Sequence, residues 1–272
     1  MISFFAKPPY MMKHLQRVSS IVRGEQIAAY MGNARLNPPS DYENDTCIYV
    51  KPHIKHGNPF NFEKKSYIDI HEAIDLVDVL NRYSEVGVIA YSDLAFETLS
   101  KLVKNEVVLI PHHHVNFERT ERKRDKIVRI GTTGSAEAWN YIPDVIKDGI
   151  KERGLKLELY SEFYPRTAVA RFHESIDIHI HWRAWLNRPL SCPFKIINAA
   201  SFGVPTIALD EPSFKEVEGT YIGVKTAEEW LEALDRLIAN PEEYEAMANK
   251  CLEVSEKYHI DNISKLYEEL DK

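Results

Sequence analysis

Short apolar runs alternate with amphipathic stretches along almost the whole chain. ISFFA (2–6) reads as a strand, and the PYMMKHLQRVSSIV that follows it has helical spacing at Met12, Leu15, Val18 and Val22. TCIYV (46–50) is the next β-rich run, after a polar loop that contains Asn37-Pro38-Pro39. YIDI (67–70) leads into HEAIDLVDVLNRY, where Ile74, Val77 and Leu80 make an apolar stripe. VGVIAY (86–91) is continuously apolar, as expected of a strand covered on both faces. A helix then starts near Ser92-Asp93, either of which can cap it, and VVLI (107–110) closes the series.

NFERTERKRDK (116–126) is dense in charge and empty of core residues, which marks it as a linker. Beyond it the pattern restarts: strand IVRIG (127–131), a helix over 136–153, and strand LKLELY (155–160). IDIHI (176–180), a helix over KIINAAS, and strands TIAL (206–209) and YIGV (221–224) come next, with two helices at the end. Strand–helix alternation means βαβ units, hence parallel sheets with helices on both faces. The expectation is an α/β protein of two Rossmann-like domains facing across a cleft. The first domain spans 1–118, the linker 119–126, and the second domain 127–272, its last helix NISKLYEEL (262–270) returning to the first. Ligands of such sheets bind beyond the carboxyl ends of the strands, so the loops there hold the chemistry.

Composition narrows the class. With 272 residues the chain is long enough for two domains, and 44% hydrophobic with 28% charged residues is ordinary for a globular protein. The net charge of −7 gives no global signal for nucleic acid or an acidic membrane, although residues 1–66 hold nine Lys/Arg against five Asp/Glu. Cys47, Cys192 and Cys251 are widely spaced and form no CxxC pair, against a disulfide framework or a zinc knuckle. No apolar run approaches the roughly 18 residues needed to span a bilayer. MISFFAKPPYMMKH lacks the layout of a secretory signal, so the expected place is the cytoplasm, with a peripheral position at a membrane still open.

Three stretches of the second half carry candidate chemistry. GTTGSAEAW (131–139) follows a strand and opens a helix: Gly131 and Gly134 permit close backbone approach, and Thr132, Thr133 and Ser135 can hydrogen-bond an anion or cap the helix. IDIHIHWRAW (176–185) puts Asp177, His179 and His181 on the face opposite Ile176, Ile178 and Ile180. A dry core would make that face costly, so an edge strand or histidines near solvent is expected, with Arg183 and Arg188 reaching the cleft mouth. In CPFKIINAASFGVPTIAL (192–209), Pro193 suits a first helical turn and Lys195 follows in the same turn. A cation at the positive end of a helix is tolerable when an anion lies between them, so Lys195 and the free N–H groups suit a diphosphate. Asn198 stands one turn on, and Gly203 ends the helix.

PFKIINAASFGVPTIALDEPSFKEV resembles the donor-binding region of GT-B glycosyltransferases, especially the family-4-like group (glycosyl transferases group 1). Residues 198–205 occupy the helix pattern, and Glu216-Val217 the later Glu-Val pair. IVRIGTTGS is similar to the start of that family's second domain, FHESIDIHIHW to the strand before the motif, and YIGVKTAEEW onward to its closing helices. The resemblance implies a nucleotide-diphosphate sugar as donor substrate, no metal and no other cofactor. It places Gly131, Thr132, Thr133, Gly134, His181, Arg183, Lys195, Asn198 and Glu216 on the donor, with Lys195 also serving departure of the diphosphate. The acceptor stays open: a glycan, a lipid-linked glycan or another molecule. Two glutamates eight residues apart are usual in retaining members, and Leu190 and Asn198 hold those positions here.

In IPHHHVNFER (110–119), His112 and His113 are candidates for a general base or a sugar contact. By position after first-domain strands, Lys7, Tyr10, His14, His53 and His56 are further candidates. Three other functions fit the same architecture: a catalytically silent relative that binds a nucleotide sugar, a sugar-nucleotide epimerase, and a DNA glucosyltransferase.

Overall fold

The computed structural model describes residues 1–7, 11–12, 15–16, 18–52, 54, 61–122, 126–183 and 188–272. Tyr10, His14, His53 and His56 lie outside them. Two compact units emerge: Met1–His113 with Pro189–Cys192 and Ile260–Lys272, and His114–Arg188 with Pro193–His259.

The first unit is built on strands β1 (Ile2–Ala6), β2 (Ala34–Leu36), β3 (Thr46–Val50), β4 (Lys65–Asp69), β5 (Gly87–Ala90) and β6 (Val107–Leu109). All are parallel, in the order β2-β1-β3-β4-β5-β6. β3 and β5 are buried at every position, the result of helices covering both faces. Ser92 caps the helix Asp93–Leu102 by accepting from the Ala95 N–H at 3.1 Å. After β1 the chain turns into a wide π-helical stretch, Ser20–Gln26, which tightens to α over Ile27–Tyr30. It buries Arg23, whose Nε donates to Asp69 at 2.5 Å and whose Nη1 donates to the carbonyls of Ile110 and Pro111. The last helix, Ile260–Glu269, belongs to this unit and brings Tyr267 edge-on to Phe4.

Two sequence expectations change here. The helix read through Met12 and Leu15 is absent: Met12 pairs with Leu15 and Met11 with Gln16 in a short antiparallel ladder. Residues three apart are neighbours on a helix and, as Met12 and Leu15 here, can also be register partners of a ladder, so the spacing does not choose. β2 carried no apolar alternation and was not foreseen.

The second unit holds β7 (Arg129–Thr133), β8 (Lys156–Tyr160), β9 (Ile178–His181), β10 (Thr206–Leu209) and β11 (Tyr221–Val224). It is again parallel, in the order β8-β7-β9-β10-β11. One face packs Ile178, Ile180 and Ile207 against Trp230, Leu234 and Ile146. The helix expected over 136–153 is two, Ala136–Tyr141 and Asp144–Glu152, because Pro143 cannot continue a helix and restricts the residue before it.

The charged stretch after residue 115 is not a free linker in its described part. The Val115 N–H donates to Asn198 Oδ1 at 2.9 Å, and Asn116 Nδ2 donates to the Ser201 carbonyl at 2.6 Å. Arg119 pairs with Glu256, and Glu118 with Arg166. Its charges therefore face partners in the second unit, and the division falls at His113 rather than at 118.

Candidate functional site

Each strand of the second sheet delivers its following loop to one edge, and the residues with chemistry collect there after β7, β9 and β10. Gly131, Thr132 and Thr133 are not loop residues but the inner and last rungs of β7. Gly131 is required by packing: a methyl group on it would lie 2.5 Å from Ile176 and 2.8 Å from Phe172. Gly134 follows the strand and donates its N–H to the Tyr160 carbonyl at 3.1 Å.

Lys195 is the second residue of the helix Phe194–Ala200. Its Nζ lies 3.0 Å from the point a methyl group on Gly134 would occupy, and Ala138 Cβ lies 2.6 Å from that point. The missing side chain at Gly134 thus leaves the room in which the ammonium rests.

Beside it on β9 stand His179 and His181, both buried. β9 is neither an edge strand nor near solvent; it lies between β7 and β10, which corrects the sequence expectation. Asp177 is satisfied, since Oδ2 accepts the Val128 and Arg129 N–H groups, each at 2.7 Å, and so fixes the start of β7. The imidazoles continue a column from His173, with ring centroids 6.0 Å and 6.2 Å apart. His179 Nδ1 lies 3.2 Å from Thr206 Oγ1, while neither ring nitrogen of His173 has a hydrogen-bond partner among the described residues. Burial pushes His173 down to about 3. His179 and His181 fall well below the usual histidine range, through burial first and then neighbouring charges that include Lys195. All three are neutral imidazoles. Among the described residues no three His, Cys, Asp or Glu stand together as metal ligands.

Arg183 does not project alone: it grips Glu211 with Nε and Nη2, and Glu211 Oε1 lies 4.0 Å from His181 Nε2. Asn198 turns its side-chain oxygen to the Val115 N–H and so holds the segment at the start of the unit. Glu216 lies half-buried in the 3₁₀ turn Pro212–Val217 that follows β10.

In the first unit, His113 Nε2 meets the Val22 carbonyl at 2.9 Å. His112 forms a ring cluster with His71 at 5.1 Å and Tyr91 at 5.2 Å. Burial is the main cause that holds His112 well below the usual range and His71 down to about 3, with nearby positive groups adding to it. His71 was not read as a candidate from the sequence.

No family model matches the chain. An uncharacterized glycosyltransferase of Haemophilus influenzae is similar to it, 30% identical over 139 residues, 46% of this chain and 38% of that protein. Among solved structures, the Glycosylation Associate Protein (Gap123) complex of Streptococcus agalactiae aligns with a TM-score of 0.56 at 13% identity. That alignment covers 84% of this chain and 54% of the other. Sucrose-phosphate synthase of Thermosynechococcus elongatus aligns at 0.52 and 13% identity, over 83% and 68%. This is the GT-B fold.

The chain spans about half the length of the streptococcal GT-B chain and 38% of the Haemophilus protein. Among the described residues no helix is long and apolar enough to cross a membrane. Within this GT-B chain the sequence reading missed Glu211 and His173. Glu211 stands in the loop directly after a buried strand, a place that marks it for attention. His173 sits on a helix, and only the fold brings it under β9.

Proposed function

We propose that the chain is a glycosyltransferase that takes a sugar from a nucleotide-diphosphate donor, without a metal, and passes it to an acceptor. The observation that carries this reading is the Lys195 ammonium resting over Gly134 beyond the carboxyl ends of β7 and β9. When the bond between the anomeric carbon and the diphosphate oxygen breaks, negative charge grows on the diphosphate. A fixed ammonium beside backbone with no side chain in the way stabilises that charge at close range. Neutral imidazoles at His179 and His181 leave the local field to Lys195, while Glu211 balances Arg183. Thr132, Thr133 and Gly131 shape the strand end, and Glu216, in the turn after β10, is a further proposed donor contact. Asn198 supports the site through Val115.

A second reading is a chain that binds the nucleotide sugar without turning it over. It is favoured by Leu190 and Asn198 standing where retaining relatives carry glutamates, and by alignment to assemblies named for glycosylation-associated and accessory secretory proteins.

The test is a thermal-shift titration against UDP, GDP, ADP, CMP and their sugar conjugates, followed by donor turnover. Ligand that binds only the folded state raises the midpoint, by about 2.7 kcal/mol of stability at a hundredfold excess over Kd. A rise with one nucleotide and release of the free diphosphate supports the transferase. Binding without turnover supports the silent reading, and no rise with any nucleotide contradicts both.

A further inference from the structure

Buried polar atoms of folded proteins are nearly all hydrogen-bonded, and an exception asks for an explanation. β9, inside the second sheet, carries two. The Nε2 atoms of His179 and His181 are shut off from solvent, and neither has a hydrogen-bond partner among the described residues. His179 lies between two other imidazoles, whereas His181 ends the column beside charged groups.

The surroundings of His181 are specific. Phe214, in the 3₁₀ turn after β10, meets the ring edge-to-face at 5.3 Å. The neighbouring strands add no charge at this level, since Gly131 is the register partner of His179 and Ala208 that of His181. Along its own chain stand His179, with ring centroids 6.2 Å apart, and Arg183; the helix Phe194–Ala200 brings Lys195. Burial first, then the positive charges of Lys195 and Arg183, keep the imidazole neutral. The carboxylate at hand is Glu211, whose Oε1 lies 4.0 Å from Nε2. That is too long for a hydrogen bond to a neutral ring, but it is within ion-pair reach of a charged one. His181 is thus a proton acceptor with its counter-charge in place, held neutral by burial and by two cations. A diphosphate beside Lys195 reverses the second of these causes. An opposite charge within about 4–6 Å favours the charged form of a titrating group by about ten- to a thousandfold.

We propose that His181 takes up a proton when a nucleotide-diphosphate sugar binds beside Lys195, and that Glu211 then pairs with the imidazolium. The step moves one proton from solvent onto the ring and breaks no bond of the ligand. Coupling between two binding events is reciprocal, so acid strengthens ligand binding by the factor with which ligand strengthens proton binding. The coupling rests on the donor reading above and gives that site a pH control.

The test is isothermal titration of the full chain with UDP-glucose, GDP-glucose and ADP-glucose, in buffers of low and of high ionisation enthalpy. These diphosphate diesters have no group of their own that titrates near neutral pH, so any proton taken up goes to the protein. At about pH 6, near the ordinary histidine value, the heat of the sugar nucleotide that binds should depend on the buffer in the sense of proton uptake. Its affinity should rise about threefold or more between about pH 7.5 and 5.5. His181→Gln should show neither effect, whereas His173→Phe, at the far end of the column, should show both. Binding with no proton uptake, or uptake that persists in His181→Gln, overturns the coupling and leaves the donor reading standing. Binding by none of the three sugar nucleotides overturns the donor reading and the coupling with it. If the glutamine variant fails to fold, the buffer dependence of the natural chain still decides, because its absence overturns the coupling.

Discussion

Arg183 and Glu211 form a two-pronged ion pair in which the carboxylate is 1% and the guanidinium 21% exposed. The arginine expected from the sequence to meet the donor thus already has its counter-charge. Arg183→Ala leaves a buried carboxylate unpaired, and removal of one partner from a buried pair costs about 3–5 kcal/mol. Exposure of the guanidinium reduces that to about 2 kcal/mol here. Urea unfolding should show the loss, and nucleotide affinity should change less than in Lys195→Ala.

Gly134→Ala tests the close approach. The added methyl group meets Ala138 Cβ at 2.6 Å and the Lys195 ammonium at 3.0 Å, so both must shift. Overpacking of this kind costs about 1–3 kcal/mol, and nucleotide affinity should fall with it. Gly32→Ala is the matched control, because nothing lies within 4 Å of its added methyl group, and it should leave affinity unchanged.

Asn198→Ala separates support from contact. It removes the acceptor of the Val115 N–H, and a buried donor left without its partner costs about 1–3 kcal/mol. The melting midpoint should fall while nucleotide affinity at saturating folded protein stays within a factor of about two. A selective loss of affinity would make Asn198 a donor contact instead.

The histidine column sets a pH dependence. His173, held at about 3 in the folded chain by burial, titrates near 6.5 when unfolded. Below that pH the unfolded chain binds the proton and the folded chain does not. Stability is therefore complete above about pH 6.5 and falls as the pH drops towards 3, by about 1.4 kcal/mol per unit for this residue. His179 and His181 shift in the same direction and steepen the slope. In His173→Phe, which keeps the stacking on Phe202, the slope between pH 6 and 5 should be one proton smaller. An unchanged slope would mean that His173 titrates alike in both states.

The strand runs at 46–50 and 206–209 are legible because buried parallel strands are continuous apolar text bounded by turns. The alternation of IDIHIH is equally plain, and it separates Ile178 and Ile180 from the histidines as the core does. What alternation cannot express is the neighbour: β9 is central because β7 and β10 pair with it, and that is a long-range fact. The same holds at the site. Lys195 and Gly134 are 61 positions apart, and Arg183 finds Glu211 across 28. Local spacing showed Lys195, Gly134 and Arg183 as candidates but could not say that Arg183 is balanced, that Asn198 serves the backbone, or that Gly131 is a packing residue inside a strand. Charge density misled at 116–126 for a related reason, since the described ion pairs there join residues far apart in sequence.

The proposed role of Lys195, holding the diphosphate of a nucleotide donor, is tested most directly by the affinity of the full chain for nucleoside diphosphates with and without that ammonium. The expected result is a nucleotide that raises the melting midpoint of the natural chain and binds Lys195→Ala about tenfold or more weakly, with the fold of the variant intact. Equal binding by the two proteins would contradict it.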